Sequence, residues 1–188
     1  VIADIGCGAG DDVAAYVKMG AKRVIGVEPS RVMLEEARKT LAEKGAEAEL
    51  TEGEWERIPL PDESIDIATS RYSFHVQDSF DIAFREVARV LKPDGIFFVA
   101  APHPIHDAKV IREQHLKPGQ LMKVPIYDGK FIVEIPPHTM DDYLSDVSRK
   151  LFDLEDKLEY SMHEDPAEKD PSGLVLKFRK KTPTEIPR

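Results

Sequence analysis

Apolar and polar positions follow two distinct rhythms along the first hundred residues. Short apolar runs fall at 1–5, 23–27, 65–69 and 96–101, with a weaker one at 48–51. Between them, apolar residues recur every three or four positions: Val13, Tyr16 and Val17 within 11–19, Met33, Ala37 and Leu41 after Ser30, and Phe80, Phe84, Val87 and Leu91. The first rhythm belongs to buried strands and the second to helices with one face on a core. Gly20 and Gly45 stand where two helices should stop, and Ser30 where one should start. Lys92-Pro93-Asp94-Gly95 predicts the turn into the fifth strand. Strand and helix in alternation predict an α/β fold, a Rossmann-like three-layer sandwich built on a mostly parallel sheet.

After Ala101 the alternation stops. Residues 102–137 are rich in proline and histidine and contain one convincing strand, 131–135. A helix over 139–151 follows, then strands at 153–160 and 174–179 separated by Pro166, Pro171 and Gly173, which predicts an antiparallel C-terminal strand. The whole chain, 1–188, reads as a single domain. Segment 102–137 is too long for an ordinary connection and is expected to be an inserted substrate cover. Its aliphatic residues, among them Ile105, Ile111, Met122 and Ile126, either wall an apolar pocket or pack the segment on the sheet.

Composition narrows the function classes. Hydrophobic residues make 41% of the chain and charged residues 32%, so it is neither a disordered tail nor a membrane protein. With 26 basic against 35 acidic residues the net charge is −9, which disfavours a large nucleic-acid surface. The local run Lys177, Arg179, Lys180 and Lys181 reads as a solvated strand end. One cysteine, Cys7, permits no internal disulfide and no cysteine zinc site, and a reducing cytoplasm is the expected compartment. Val1 and Ile2 already belong to an apolar strand, with no Met and no leader before them, so an upstream segment is expected to be missing. Oligomeric state is not legible.

The strongest chemical signal is Asp4-Ile5-Gly6-Cys7-Gly8-Ala9-Gly10 between a strand and a helix. In open parallel sheets, ligands bind beyond the carboxyl ends of the strands, and glycines there let a ligand approach the main chain. A dinucleotide fingerprint would need its third glycine where Asp11 stands, and Asp12 follows. Carboxylates at that place oppose a pyrophosphate, which counts against a nicotinamide oxidoreductase. No phosphate-binding G-x-x-x-x-G-K-[ST] loop is present. Glu28 closes the second strand at about the 20-residue remove from which a carboxylate accepts the two hydroxyls of a ribose. A nucleoside carrying a cation and one carboxylate describes S-adenosylmethionine.

With these residues in view, the chain resembles the class I S-adenosylmethionine-dependent methyltransferases, in particular the small-molecule, quinone-biosynthesis-like (type 11) branch. The resemblance is carried by the loop 4–10, by Gly26-Val27-Glu28-Pro29-Ser30, by Gly53-Glu54-Trp55-Glu56 before Ile58-Pro59, by 64–68, and by 86–95. It implies that Asp4 orients the amino group of the donor and that Gly6, Cys7 and Gly8 line its methionine part with main chain. Glu28 would hold the ribose, Pro29 pack on adenine, Glu54 accept from the adenine amine beside Trp55, and the Ser70 carbonyl meet the donor amine. Glu54 stands where many relatives carry aspartate, and Asp94 where many carry glycine. Non-catalytic binding of the same ligand on the same fold is the alternative function. Cys7 reads as a small residue that fits rather than as a nucleophile.

Methyl transfer from a sulfonium is an in-line displacement that asks the protein mainly for position and electrostatics. Acceptor-side residues should follow the fourth and fifth strands, which gives Arg71 and Tyr72 as substrate residues and His75 and His103 as candidate bases. Each histidine has an alternative reading as a residue that satisfies its own loop. The spacing His103-x-x-His106 is too weak a signal for zinc, and no metal is expected. A small-molecule acceptor is the expected partner.

Overall fold

The computed structural model describes residues 1–77, 79–126, 131–161 and 170–182. Its central sheet is built from β1 (Ile2–Ile5), β2 (Val24–Glu28), β3 (Glu49–Glu52), β4 (Ile65–Arg71), β5 (Leu91–Pro102), β8 (Phe152–Tyr160) and β9 (Gly173–Lys180). The strands lie in the order β3-β2-β1-β4-β5-β9-β8. The first five are parallel, and β9 runs antiparallel to both β5 and β8. Strand order reverses between β1 and β4, because the chain first winds outward through β2 and β3 and then returns. Connections on the two sides of that point leave a crevice at the carboxyl ends of the strands.

Helices α1 (Asp11–Lys18), α2 (Arg31–Glu43) and α3 (Phe80–Val90) cover the parallel half. The stripe expected on α3 is there: Phe80, Phe84 and Val87 are buried, while Leu91, also buried, already begins β5. The turn expected at 92–95 survives inside that strand as a bulge, since Ile65 pairs with Leu91 and Ile67 with Ile96. Asp94 adopts the left-handed φ of 61° there, and its carbonyl accepts from Arg179 Nη1 at 3.0 Å. An aspartate tolerates that conformation at some cost. Asp94→Gly is therefore expected to raise stability by about 0.5–1 kcal/mol, read as a higher denaturant midpoint at unchanged slope.

Segment 102–137 holds more structure than its composition suggested. Helix α4 (Pro104–Glu113) starts directly after β5, and β6 (Met122–Ile126) pairs antiparallel with β7 (Phe131–Ile135) as a separate ribbon. His103 caps α4 and Pro104 occupies its first turn, a start signal that the proline and histidine content had obscured. The helix expected over 139–151 is two: α5 (Met140–Tyr143), closed by a Thr139–Asp142 capping box, and α6 (Asp146–Leu151), capped by Ser145. Each cap takes helix N–H groups that a continuous helix would have bonded internally. Among the described residues no helix is long and apolar enough to cross a membrane.

The core joins sheet and helices through aromatic side chains. Phe84 is fully buried, with ring centroids 5.1 Å from Phe74, 5.5 Å from Phe178, 5.8 Å from Phe152 and 6.1 Å from Phe97. Phe84→Ala is expected to cost about 3–5 kcal/mol, measurable by urea unfolding, because a cavity ringed by stiff aromatics cannot collapse. The basic run near the C-terminus is neutralised locally. Lys177 and Arg179 both pair with Glu155, and Lys181 meets Asp153 at 3.1 Å.

Candidate functional site

The crevice at the strand switch is formed by the loop leaving β1. Gly6 and Cys7 donate their N–H groups to the Val27 carbonyl at 2.7 and 3.1 Å, which draws the loop over the end of β2. At Gly8 the backbone has a φ of 53°, and a methyl group added there would meet nothing nearer than Met33 Cε at 3.8 Å. The main chain at Gly8 is therefore bare toward the crevice. Gly6 differs: its φ is 76°, and an added Cβ would lie 1.7 Å from Ser73 Oγ. Ser73 in turn accepts the Trp55 indole N–H at 3.2 Å. Glycine at position 6 is thus required both by conformation and by the side chain seated on it.

Glu28, 8% exposed, ties the loop to the next helix. Its Oε2 accepts the Gly8 N–H and its Oε1 the Ser30 N–H, each at 3.0 Å. A carboxylate offers about four acceptor positions, so each oxygen keeps one for a ligand hydroxyl. Asp4, 2% exposed, accepts the Thr69 hydroxyl through Oδ1 at 2.9 Å, the one hydrogen bond its side chain makes among the described residues. Burial, helped by nearby Asp12 and Glu28 and opposed by Thr69 and Arg71, pushes its carboxyl up to about 7. Burial together with Asp4 and Glu28 pushes the Cys7 thiol up to about 12, so it stays protonated and is no nucleophile at neutral pH.

Two cavities flank Glu28. One, of about 280 Å³, is lined by Gly6, Cys7, Gly8, Ala9, Asp11, Asp12, Met33, Arg71 and Tyr72. The other, of about 510 Å³, is lined by Pro29, Arg31, Glu52, Gly53, Glu54, Arg57 and Pro59. Sequence reasoning missed what shapes the second one. Arg89 on α3 donates to the Ile58 carbonyl at 2.8 Å, the Leu60 carbonyl at 2.9 Å and Asp62 at 2.7 Å, while Glu86 accepts the Ile58 N–H at 2.9 Å. The Glu86-x-x-Arg89 spacing places both on one helix face, which was the available signal.

Of the residues expected at the site, Gly6, Cys7, Gly8, Arg71 and Tyr72 line the first cavity and Pro29 and Glu54 the second, while Asp4 and Glu28 are buried beside the loop, Glu28 on the Gly8 N–H. Trp55 does not open into them. It is 5% exposed, its ring centroid lies 5.1 Å from Phe74, and it belongs to the core. Ser70 also faces away. Tyr72 N–H donates to the Ala100 carbonyl at 2.8 Å, so by the two-residue alternation of a strand the Ser70 peptide points to β5. Arg71 carries the peptide that faces the glycine loop, while the Ser70 hydroxyl accepts the Phe74 N–H at 3.0 Å.

The histidines lie behind this layer. His75, on the 3-10 turn Phe74–Val76, has its ring centroid 6.2 Å from that of Tyr72. Its Nδ1 is buried with no hydrogen-bond partner among the described residues, and burial with His138 nearby lowers its pKa to about 4, which leaves the ring neutral at pH 7. His103 has both ring nitrogens engaged: Nδ1 accepts the Ile105 N–H at 3.1 Å and Nε2 lies 3.2 Å from Glu159 Oε1. It borders a third cavity, about 430 Å³, walled by Pro104, Ile105, Ala108, Ile111, Pro137, His138, Thr139 and Met140 beyond the end of β5. Among the described residues no group of three His, Cys, Asp or Glu gathers at metal-binding spacing.

Comparison with known proteins agrees with this geometry. The profile of a family described as "Methyltransferase domain" matches residues 3–99, just over half the chain. An uncharacterized methyltransferase of Bacillus subtilis, YcgJ, is 36% identical over 137 residues, 64% of this chain and 54% of that protein. The ubiquinone/menaquinone biosynthesis C-methyltransferase UbiE of Rubrivivax gelatinosus is 36% identical over 96 residues, 51% of this chain and 37% of its own length. The chain spans about half the length of the curated relatives it matches, or less. Among solved structures, an S-adenosylmethionine-dependent methyltransferase from Mesorhizobium loti superposes with a TM-score of 0.73 at 24% identity, over 95% of this chain and 90% of that one. The [4+2]-cyclase SpnF shares the fold with a TM-score of 0.71 at 20% identity, over 96% and 75% of the respective chains. The chain belongs to the methyltransferase-domain family, a Rossmann-like family whose cofactor is S-adenosylmethionine.

Proposed function

We propose that the protein binds S-adenosylmethionine across the switch-point crevice and transfers its methyl group to a small-molecule acceptor. The observation that carries this reading is the placement of two buried carboxylates, Asp4 and Glu28, at a glycine loop whose main chain is bare at Gly8. Glu28 has an acceptor position left on each oxygen for a ribose, Asp4 Oδ2 is available to an ammonium, and Gly8 lets a ligand lie on the main chain. Pro29, Gly53 and Glu54 border a cavity large enough for an adenine. When bound, the cofactor supplies a methyl group on a positively charged sulfur that leaves without acid assistance. The protein's share is to hold that end in line with an acceptor and to exclude water.

The apolar cavity beyond β5 is the acceptor seat in this reading, and the insertion 102–137 is its cover. His103 then serves as a helix cap, and His75, held neutral by burial and outside that cavity's lining, is not needed as a base in this reading. A reducing cytoplasm suits the single, protonated cysteine. The test is formation of S-adenosylhomocysteine from methyl-labelled donor against a panel of phenols, hydroquinones, amines and fatty acids. Acceptor-dependent formation with label on the acceptor is the expected result. Tight donor binding with no transfer to any member of a broad panel would favour a binding function, or other chemistry on the same fold.

A further inference from the structure

We propose that Arg71, held by Asp12, is the residue that selects a donor with an intact α-carboxylate. The inference rests on the reading of the crevice as an S-adenosylmethionine site and names a specificity determinant within it. The cavity over Gly6–Ala9 is bordered by Asp11 and Asp12, Glu28 is bonded to the Gly8 N–H, and Asp4 is close enough to Asp12, Arg71 and Glu28 to feel their charge. Such a surface favours the sulfonium and ammonium of the donor, but it repels the carboxylate that sits on the same carbon as the ammonium. A zwitterionic end therefore needs one cation at that place. Among the described residues lining the cavity, Arg71 is the one that carries it.

Its geometry is set for this task. Arg71 Nε donates to Asp12 Oδ2 at 2.5 Å, and its two terminal nitrogens have no partner among the described residues. The pair is exposed, with the arginine side chain 55% accessible, so it contributes little to stability. Its effect is to fix the direction of the guanidinium. The remaining two-nitrogen edge matches a carboxylate in the bidentate manner that arginine favours. Asp4 and Arg71 then address the two charges of one α-amino acid group from opposite sides. Asp12 acts through Arg71 and is a positioning residue.

Three ligands separate the parts. S-adenosylhomocysteine carries both charges, its decarboxylated analogue carries the ammonium alone, and 5′-methylthioadenosine carries neither. Calorimetric titration of the full chain and of Arg71→Gln should show S-adenosylhomocysteine weakened about 10- to 50-fold. The other two ligands should bind each protein equally well, within about twofold, since neither touches the guanidinium. Asp12→Asn should weaken S-adenosylhomocysteine about threefold to tenfold and spare 5′-methylthioadenosine, a split that a general loosening of the loop would not produce. Unchanged S-adenosylhomocysteine affinity in Arg71→Gln, or equal losses for all three ligands, would overturn the assignment. Failure of the unsubstituted protein to bind any of the three would instead overturn the donor-site reading on which it rests.

Discussion

Asp4→Asn should make the ligand-free protein more stable above pH 7 while removing most of its affinity for the donor. Both effects come from one buried carboxylate. In the fold the Asp4 carboxyl is pushed up to about 7, whereas in an unfolded chain it titrates near 3.9. The folded state therefore holds the proton more tightly than the unfolded state does. That contribution to stability is complete below about pH 4, is lost progressively as pH rises toward 7, and is absent above it. Asparagine never ionises, and its oxygen can still accept the Thr69 hydroxyl. A gain of about 1–3 kcal/mol at pH 8 is expected, shrinking to nothing near pH 4, and thermal melts across that range will show it. S-adenosylhomocysteine should bind about 30- to 100-fold more weakly, because its ammonium loses a buried countercharge. A variant that is more stable yet binds worse is the mark of a residue kept for function.

Glu28→Gln should damage both the loop and the ligand site although it changes almost no volume. Each Glu28 oxygen accepts a main-chain N–H, one from Gly8 and one from Ser30. A glutamine offers a single acceptor oxygen and must turn its NH2 toward the other N–H, donor against donor. One partly buried amide is left unsatisfied and its partner repelled, which costs about 1–3 kcal/mol. The same substitution removes the charge that strengthens two ribose hydrogen bonds, so affinity should fall by at least about 100-fold. Comparison with Glu28→Ala checks the cause. If the donor clash dominates, alanine will be no less stable than glutamine, since water can reach the vacated amides.

The parallel half of the fold was legible because each element announces itself locally. The runs at 1–5, 23–27, 65–69 and 96–101 fall on β1, β2, β4 and β5, and the stripe Phe80, Phe84 and Val87 lies on the core. Legibility failed where local signals compete. Pro104 and His103 look like loop residues until one sees that proline belongs in a helix's first turn and that a histidine can cap it. Thr139 and Ser145 both have capping side chains, and the spacing between them admits one long helix or two short ones. The expected boundaries of β5 and α3 differ from the observed ones because Leu91 serves the core equally well from helix or strand.

At the site, spacing singled out Gly6, Gly8, Asp4 and Glu28, which the fold brings together at the loop leaving β1. It could not orient Trp55 or the Ser70 peptide. Whether an indole faces a crevice or Phe74, and which neighbour a strand peptide faces, depends on register and on packing across the sheet. Arg89 announced itself only through its spacing from Glu86; the two carbonyls of the 57–62 loop that it bonds lie far off in sequence, and only packing brings them to it. Arg71, expected on the acceptor side, lines the cavity over the glycine loop, and its partner Asp12 lies on another element, so only the fold joins them.

The most direct test of the crevice as a donor site is calorimetric titration of the unsubstituted protein with S-adenosylhomocysteine between pH 5.5 and 8.5. One ligand should bind per chain, with affinity level above about pH 7 and falling as much as tenfold per pH unit below it, as Asp4 takes up the proton that the ammonium must displace. Absence of saturable heat at pH 8, or an affinity indifferent to pH across the range, would contradict the account.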